Sequence, residues 1–369
     1  MVSNAIPFID LKAHTGRMEG EILDAVKRVC ATADYSGGAF VEAFEEQFAR
    51  FLNAPGFAAV SNGSDALFLA LRALDVSEGD EVIVPASTFI ATAFAPMRLG
   101  AKPVFADCDP VTWQIDPASV AQRITGRTRA IIGVHLYGQA FPVDEINALA
   151  RRYGLRVIED CAQSQGTLYR SSPVGTLSDA GCFSFYPTKN LGACGQAGGV
   201  ACADGAADRR LRCMRSQGMD GGGVHVELGY NMRMDGMQAA ILSAMLPHLP
   251  EWNRRRSEIL RRYRAEIVNP GIRFQGELPH TQPAWYLAVV CVPDRQRFLR
   301  HMADRGINCG VHYPQPCHLA PAMAALGHRR GDLPNAEYLA DHCVSLPLYP
   351  ELEAAAVDRV VEACNACVF

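Results

Sequence analysis

The sequence predicts an α/β fold: a mostly parallel central sheet flanked by helices, followed by a smaller α+β C-terminal domain. Three observations predict it. From about residue 56 to 205, short β-branched runs alternate with amphipathic helical patterns, and strands separated by helices of that length pair in parallel with both sheet faces covered. The 369 residues exceed what one small core needs and suit a large domain with a second unit. Beyond about residue 270 the pattern thins to isolated strand and helix segments.

The elements follow in order. A helical region spans about 14–52 and contains "GGAFVEAFEEQFARFL". The expected strands are "FAAVS", "EVIVP", "KPVFAD", "RAIIGVH", "LRVIED", "AGCFSF" and "GGVACA", with helical patterns such as "DALFLALRAL" and "VDEINALARRY" between most of them. In "FSFYPTKN", residues 183–190, apolar and polar residues alternate as in a half-buried strand until Pro187 stops the pairing. A long helical stretch from "DGMQAAIL" to "RRYRAEI" comes next. The tail then pairs "AWYLAVVCV" with the helix "DRQRFLRHMADRG". The expected division is 1–250 for the large domain, including the N-terminal helical segment, and 251–369 for the small one.

Composition narrows the function classes. A net charge of −4 gives no reason to expect nucleic acid or an anionic membrane as partner. The start lacks a basic segment followed by an apolar run, and no stretch approaches the roughly 20 apolar residues that span a bilayer. Thirteen cysteines are scattered through the chain, many in apolar company, which reads as a reducing cytoplasm without a disulfide framework. The one close pair, Cys364 and Cys367, lies on the last helical pattern and reads as helix packing, so no metal is expected.

Ligands of such sheets bind beyond the carboxyl ends of the strands. After the first strand, "SNGSDALFLAL" puts Gly63 and Ser64 at a helix start, where free N–H groups and the helix dipole suit a phosphate. The plainer reading is N-capping by Ser64 or Asp65. No dinucleotide or P-loop glycine signature is present. "LRVIED" ends in Glu159 and Asp160. A carboxylate there is costly unless a cation faces it, and the partner is either a protonated ring nitrogen or a set of backbone N–H groups. "FSFYPTKN" adds Ser184 and Lys189 on a neighbouring loop. A phosphate cradle, a carboxylate for a pyridinium and an amine able to form a Schiff base together describe a site for pyridoxal 5'-phosphate.

At these residues the chain resembles the DegT/DnrJ/EryC1/StrS sugar aminotransferases, which have the aspartate-aminotransferase fold (fold type I) of pyridoxal phosphate enzymes. The resemblance runs from "FIDL" at 8–11 to "VSLPLYPEL" at 344–352. It rests on "NGSDAL", "PASTFIATA", "VHLYGQ", "EDCAQSQG", "FSFYPTKN", "GYNMRMDGMQAAIL" and "VHYPQPCHL". It implies that Lys189 carries the cofactor and later moves the proton, that Asp160 pairs with the ring nitrogen, and that Gln163 reaches the ring hydroxyl. Phe89 would stack on the ring, with a plain core role as the alternative. Gly63, Ser64 and Ser184 would hold the phosphate, and Asn231 would reach the phosphate of the neighbouring site, which implies a homodimer with shared active sites. His312 and Tyr313 would face the nucleotide sugar from the partner chain, and His225 matches a substrate-side histidine.

The implied reaction takes an amino group from L-glutamate, through the pyridoxamine form of the cofactor, to a nucleotide-linked keto-sugar. "VHYPQPCHL" looks like members that aminate C3, the position adopted here, whereas "GYNMRM" is closer to C4, perosamine-type members. A related sugar dehydratase would carry histidine in place of Lys189. A non-catalytic binding homologue would be expected to have lost Lys189 or Asp160. A cyclitol or other ketone stays compatible with departures such as Gln196, Cys161, Met232 and Gly236.

Overall fold

The computed structural model describes residues 5–369. Seven strands form the central sheet: β1 (Ala58–Val60), β2 (Glu81–Pro85), β3 (Lys102–Ala106), β4 (Thr128–Val134), β5 (Arg156–Asp160), β8 (Ala180–Ser184) and β9 (Gly198–Cys202). These are the seven runs expected from the sequence. Their spatial order is β1-β9-β8-β5-β4-β2-β3. Pairing is parallel from β3 through β8, while β9 runs antiparallel to both β8 and β1.

Alternate residues of the central strands enter two different cores. Val82, Val84, Ile132 and Ile158 join the cluster on one face; Ile83, Ile131 and Val157 join the other. Period-two geometry feeds both faces at once, so these strands read as continuous apolar runs. The helix Gly63–Ala73, buried from Ala66 through Leu71, covers the first face. The second face holds Phe44, Phe48, Phe57, Phe183 and Phe185. Ring centroids there are 4.7 Å apart for Phe48–Phe57 and 5.0 Å for Phe48–Phe185, the latter edge-on, a spacing aromatic quadrupoles favour.

The half-buried reading of "FSFYPTKN" holds at its first four positions, where Phe183 and Phe185 are buried and Tyr186 is 46% exposed. Ala180 through Phe183 are all buried, because β8 lies between β5 and β9 with apolar layers on both sides. Within it Phe183 and Phe185 enter the same aromatic core, while Ser184 and Tyr186 face the cleft.

Two smaller sheets complete the fold. One joins β10 (Arg273–Phe274), β12 (Ala288–Cys291) and β13 (Cys343–Leu346), and the other β6 (Leu168–Tyr169), β7 (Ser172–Pro173) and β11 (Thr281–Gln282). Helices Leu249–Glu266, Arg295–Ala303 and Ala354–Asn365 contribute to a third core around Tyr263, Val290, Phe298 and Val360. The first described residues return to this region. The Ile6 N–H donates to Gly306 O at 2.7 Å and its carbonyl accepts from Asn308 N at 2.9 Å. Cys364 and Cys367 are buried, unpaired thiols; the last helix ends at Asn365, so Cys367 lies just past it. No helix among the described residues is long and apolar enough to cross a membrane.

Candidate active site

The carboxyl ends of β1, β2, β5 and β8 open onto one cleft of about 880 Å³. Its walls include Gly63, Ser64, Phe89, Asp160, Gln163, Ser184, Lys189, His312 and Tyr313. Nine of the eleven residues singled out from the sequence therefore meet in one place.

Lys189 stands in a turn fixed on both sides. Upstream, Phe185 is fully buried in the aromatic cluster, with its N–H on Ala197 O and its carbonyl accepting from Ala193 N, both at 2.8 Å. Downstream, the buried Asn190 donates to Ala284 O at 2.6 Å and Asn253 Oδ1 at 2.8 Å. Lys189 N–H closes the turn on Tyr186 O at 2.8 Å. The lysine Nζ sits 4.5 Å from the centroid of Tyr286, a cation–π contact, and makes no ion pair among the described residues.

Asp160 ends β5 and is buried. Its Oδ2 accepts from Thr92 Oγ1 at 2.9 Å and its Oδ1 from Ala162 N at 3.1 Å, and Thr92 in turn lies 3.0 Å from Thr88 Oγ1. Burial raises the Asp160 pKa, outweighing these hydrogen bonds and the nearby Lys189 charge. The neighbouring Glu159 points to the other face of the sheet. There it meets the buried His135 Nε2 at 3.0 Å and accepts the N–H groups of Gly175 and Leu177 at 2.7 Å. Adjacent carboxylates thus differ sharply. Glu159 is fully partnered within the chain, and Asp160 is buried without an ion pair.

The helix Gly63–Ala73 begins where the phosphate cradle was expected, but Asn62, not Ser64 or Asp65, caps it by accepting from Asp65 N at 2.9 Å. That leaves Ser64 exposed at the cleft. A Cβ placed on Gly63 would fall 2.7 Å from Ser184 Cβ, so the two approach as closely as a bare glycine permits. Phe89 is 54% exposed and its ring centroid lies 5.7 Å from that of Tyr313, which removes the core alternative.

Gln163 is anchored inside the protein: Oε1 accepts from Tyr137 N at 2.8 Å and Nε2 donates to Tyr313 Oη at 2.9 Å. His312 Nδ1 lies 2.8 Å from Ser345 Oγ, and its ring stacks on Phe8 with centroids 5.4 Å apart. Burial, with Lys189 adding, lowers the His312 pKa to about 4. Burial also pushes the Tyr313 phenol well above its ordinary value. His312 and Tyr313 line the cleft of their own chain. Hydrogen bonds to Ser345 and Gln163 of the same chain hold them there.

Asn231 and His225 lie apart from this cleft wall. Asn231 pairs with Ser216 in an isolated bridge and is exposed, and His225 Nδ1 meets Gln217 O at 2.9 Å on an exposed loop. Thr92, Tyr286 and Arg98 line the cleft without having been singled out. Thr92 and Arg98 lie in a helical pattern and Tyr286 in a strand pattern, where each passes for packing.

The residues fit pyridoxal 5'-phosphate. A buried carboxylate without a resident cation matches a protonated ring nitrogen, a helix start closed by a close-approach glycine and two serines matches a phosphate, and an unpaired lysine amine matches an aldehyde.

The sequence profile of the DegT/DnrJ/EryC1/StrS aminotransferase family matches residues 17–365. The erythromycin biosynthesis sensory transduction protein EryC1 of Saccharopolyspora erythraea is 43% identical over 362 residues, covering 98% of this chain and 99% of that one. The dTDP-3-amino-3,4,6-trideoxy-alpha-D-glucose transaminase of Streptomyces venezuelae is 41% identical over 359 residues, covering 97% and 95%. Among solved structures, S. venezuelae DesV in complex with a ketimine intermediate superposes with a TM-score of 0.96 at 40% identity, covering 98% of each chain.

Proposed function

This chain belongs to the DegT/DnrJ/EryC1/StrS aminotransferase family, and from that membership we propose that it moves an amino group from L-glutamate to the C3 ketone of a nucleotide-linked sugar. It is a nucleotide-sugar aminotransferase, and its cofactor is pyridoxal 5'-phosphate. The observation that carries the reading is the pairing, in one cleft, of the buried Asp160 carboxylate with the unpaired Lys189 amine. The C3 position draws on the motif "VHYPQPCHL" and on the S. venezuelae relative, which is named for a 3-amino sugar.

When bound, the cofactor supplies an aldehyde that accepts the amino group and a ring that withdraws electrons from the reacting carbon. Asp160 keeps a proton on the ring nitrogen, and Thr92 and Ala162 hold the carboxylate in place for it. Gly63, Ser64 and Ser184 bind the phosphate. Lys189 would hold the cofactor through its aldehyde, and its Nζ would serve as the general base that takes and returns a proton. The Tyr286 ring gives that amine a place to rest near the reacting atoms. Phe89 covers the ring face and Gln163 reaches the ring hydroxyl while bracing Tyr313. His312, neutral at physiological pH, and Tyr313 face the sugar without adding charge.

Asn231 and His225 act at the neighbouring site of a homodimer. Supporting this, Val224, Val226 and Leu228 beside His225 are 59%, 60% and 68% exposed, an apolar run that burial against a second copy would cover. The proposed division falls near residue 250, between the cofactor-binding domain and a small domain at 251–369, with Ile6 packed into the latter's core.

The test is an absorbance titration with pyridoxal phosphate, followed by L-glutamate. The expected result is a visible band, absent in Lys189→Ala, that bleaches with glutamate. A panel of C3- and C4-keto sugar nucleotides then assigns the ketone. Absence of the band from wild-type protein refutes the lysine role; a band indifferent to glutamate refutes the donor, and turnover of C4 ketones alone refutes the C3 assignment.

A further inference from the structure

One arginine lines the cleft. Arg98 donates from Nη1 to Asp65 Oδ1 at 2.9 Å, and its guanidinium carbon lies 4.2 Å from the Phe68 ring centroid. The guanidinium makes no other hydrogen bond among the described residues. Asp65 sits in the first turn of the helix that begins at Gly63, and its Oδ2 accepts from Ser61 Oγ at 2.5 Å and Asn62 Nδ2 at 2.8 Å. These contacts tie the strand-to-helix turn together, which is a structural use for the carboxylate. They also leave a negative charge beside the N–H groups that would receive a phosphate. A carboxylate next to an anion site repels its ligand unless it is neutralised, and Arg98 is the only cation paired with Asp65 among the described residues.

We propose that Arg98 is a positioning residue for the cofactor's phosphate: by cancelling the charge of Asp65, it lets that carboxylate fasten the turn without making the cradle anionic. The inference rests on the reading of Gly63, Ser64 and Ser184 as the phosphate site. The cation–π contact with Phe68 and the hydrogen bond to Asp65 hold the guanidinium in place, so the neutralisation is built in and does not await the ligand. The effect acts through Asp65, and it must vanish for a ligand that lacks the phosphate.

The experiment measures dissociation constants of pyridoxal phosphate and of pyridoxal, which lacks the phosphate, by protein fluorescence. The proteins compared are wild type, Arg98→Met, Arg98→Lys and the double variant Arg98→Met with Asp65→Asn. Arg98→Met should bind pyridoxal phosphate roughly ten-fold more weakly, an effect that shrinks with added salt, and bind pyridoxal as wild type does. Arg98→Lys should keep most of the affinity, and Asp65→Asn should restore it in the Met background. Equal binding of pyridoxal phosphate by Arg98→Met and wild type overturns the inference. So does equal weakening toward both ligands, or a double variant no better than the single one. Wild-type protein that binds no pyridoxal phosphate overturns the cofactor reading as well, which separates the two failures.

Discussion

Replacing Asp160 by asparagine should stabilise the cofactor-free protein and shrink the stabilisation that the cofactor adds. Burial raises the Asp160 pKa above its ordinary 3.8. The sign follows from linkage. A carboxyl whose pKa is raised by folding contributes its full share below pH 3.8, and that share is lost as pH rises through the folded pKa. Above that pKa the empty protein carries a penalty of about 1.4 kcal/mol for every tenfold weakening of the acid. Asparagine keeps the shape and both contacts: its carbonyl can accept from Ala162, and its amide can donate to Thr92, whose hydroxyl can turn to Thr88. Empty Asp160→Asn protein should therefore be more stable at pH 7 by about 1–3 kcal/mol. Loading reverses the order of gain. Wild type at one hundred times its dissociation constant gains about 2.7 kcal/mol, whereas a variant binding ten-fold more weakly gains about 1.4 kcal/mol at the same concentration. Transamination should fall by orders of magnitude, since the ring nitrogen is no longer held protonated. The assay is urea unfolding at pH 7 with and without cofactor, alongside turnover. An empty variant less stable than wild type, or equal gains on loading, would refute the reasoning and return Asp160 to a structural role.

Two further changes test neighbouring parts of the site. Gly63→Ala puts a methyl 2.7 Å from Ser184 Cβ, so one of the two chain segments must move; the expected cost is about 1–3 kcal/mol with weaker cofactor binding, and an alanine variant with wild-type stability and affinity would show that the cradle is looser than the geometry says. His312 has a pKa lowered to about 4 from 6.5. Its neutral form contributes stability above pH 6.5, lost as pH falls toward 4 because the unfolded chain takes up the proton first, about 3 kcal/mol in all. His312→Gln should flatten that part of the stability–pH curve of the cofactor-free protein in denaturant titrations at pH 7 and 4.5, and unchanged steepness would place the sensitive group elsewhere.

How much of this was legible in the sequence depended on how local the signal was. The seven sheet strands were readable because β-branched runs between helical patterns are a short-range feature. Lys189, Asp160 and Gly63 were readable because strand ends and helix starts locate themselves. What escaped were residues whose role is set by distant contacts. Thr92 matters through Asp160, 68 residues away. Tyr286 lies in a strand-like run and matters through Lys189. Asn62 was passed over as a cap because Ser64 and Asp65 offered equally good capping chemistry. The support of His312 by Ser345, 33 residues further on, was equally out of reach of a local reading.

The return of the first described residues to the far end of the chain has a consequence for synthesis. Ile6 is held by Gly306 and Asn308, Phe8 stacks on His312, and His312 leans on Ser345. During translation all seven strands of the central sheet have been made by residue 202, whereas the partners of Ile6 and Phe8 come about a hundred residues later. The wall carrying His312 and Tyr313 is thus the last part of the cleft to be assembled. Lys189, in its turn, and Asp160, at the end of β5, are translated well before that wall. A chain cut before residue 345 would lack the Ser345 hydroxyl that His312 leans on and the last helix of the third core.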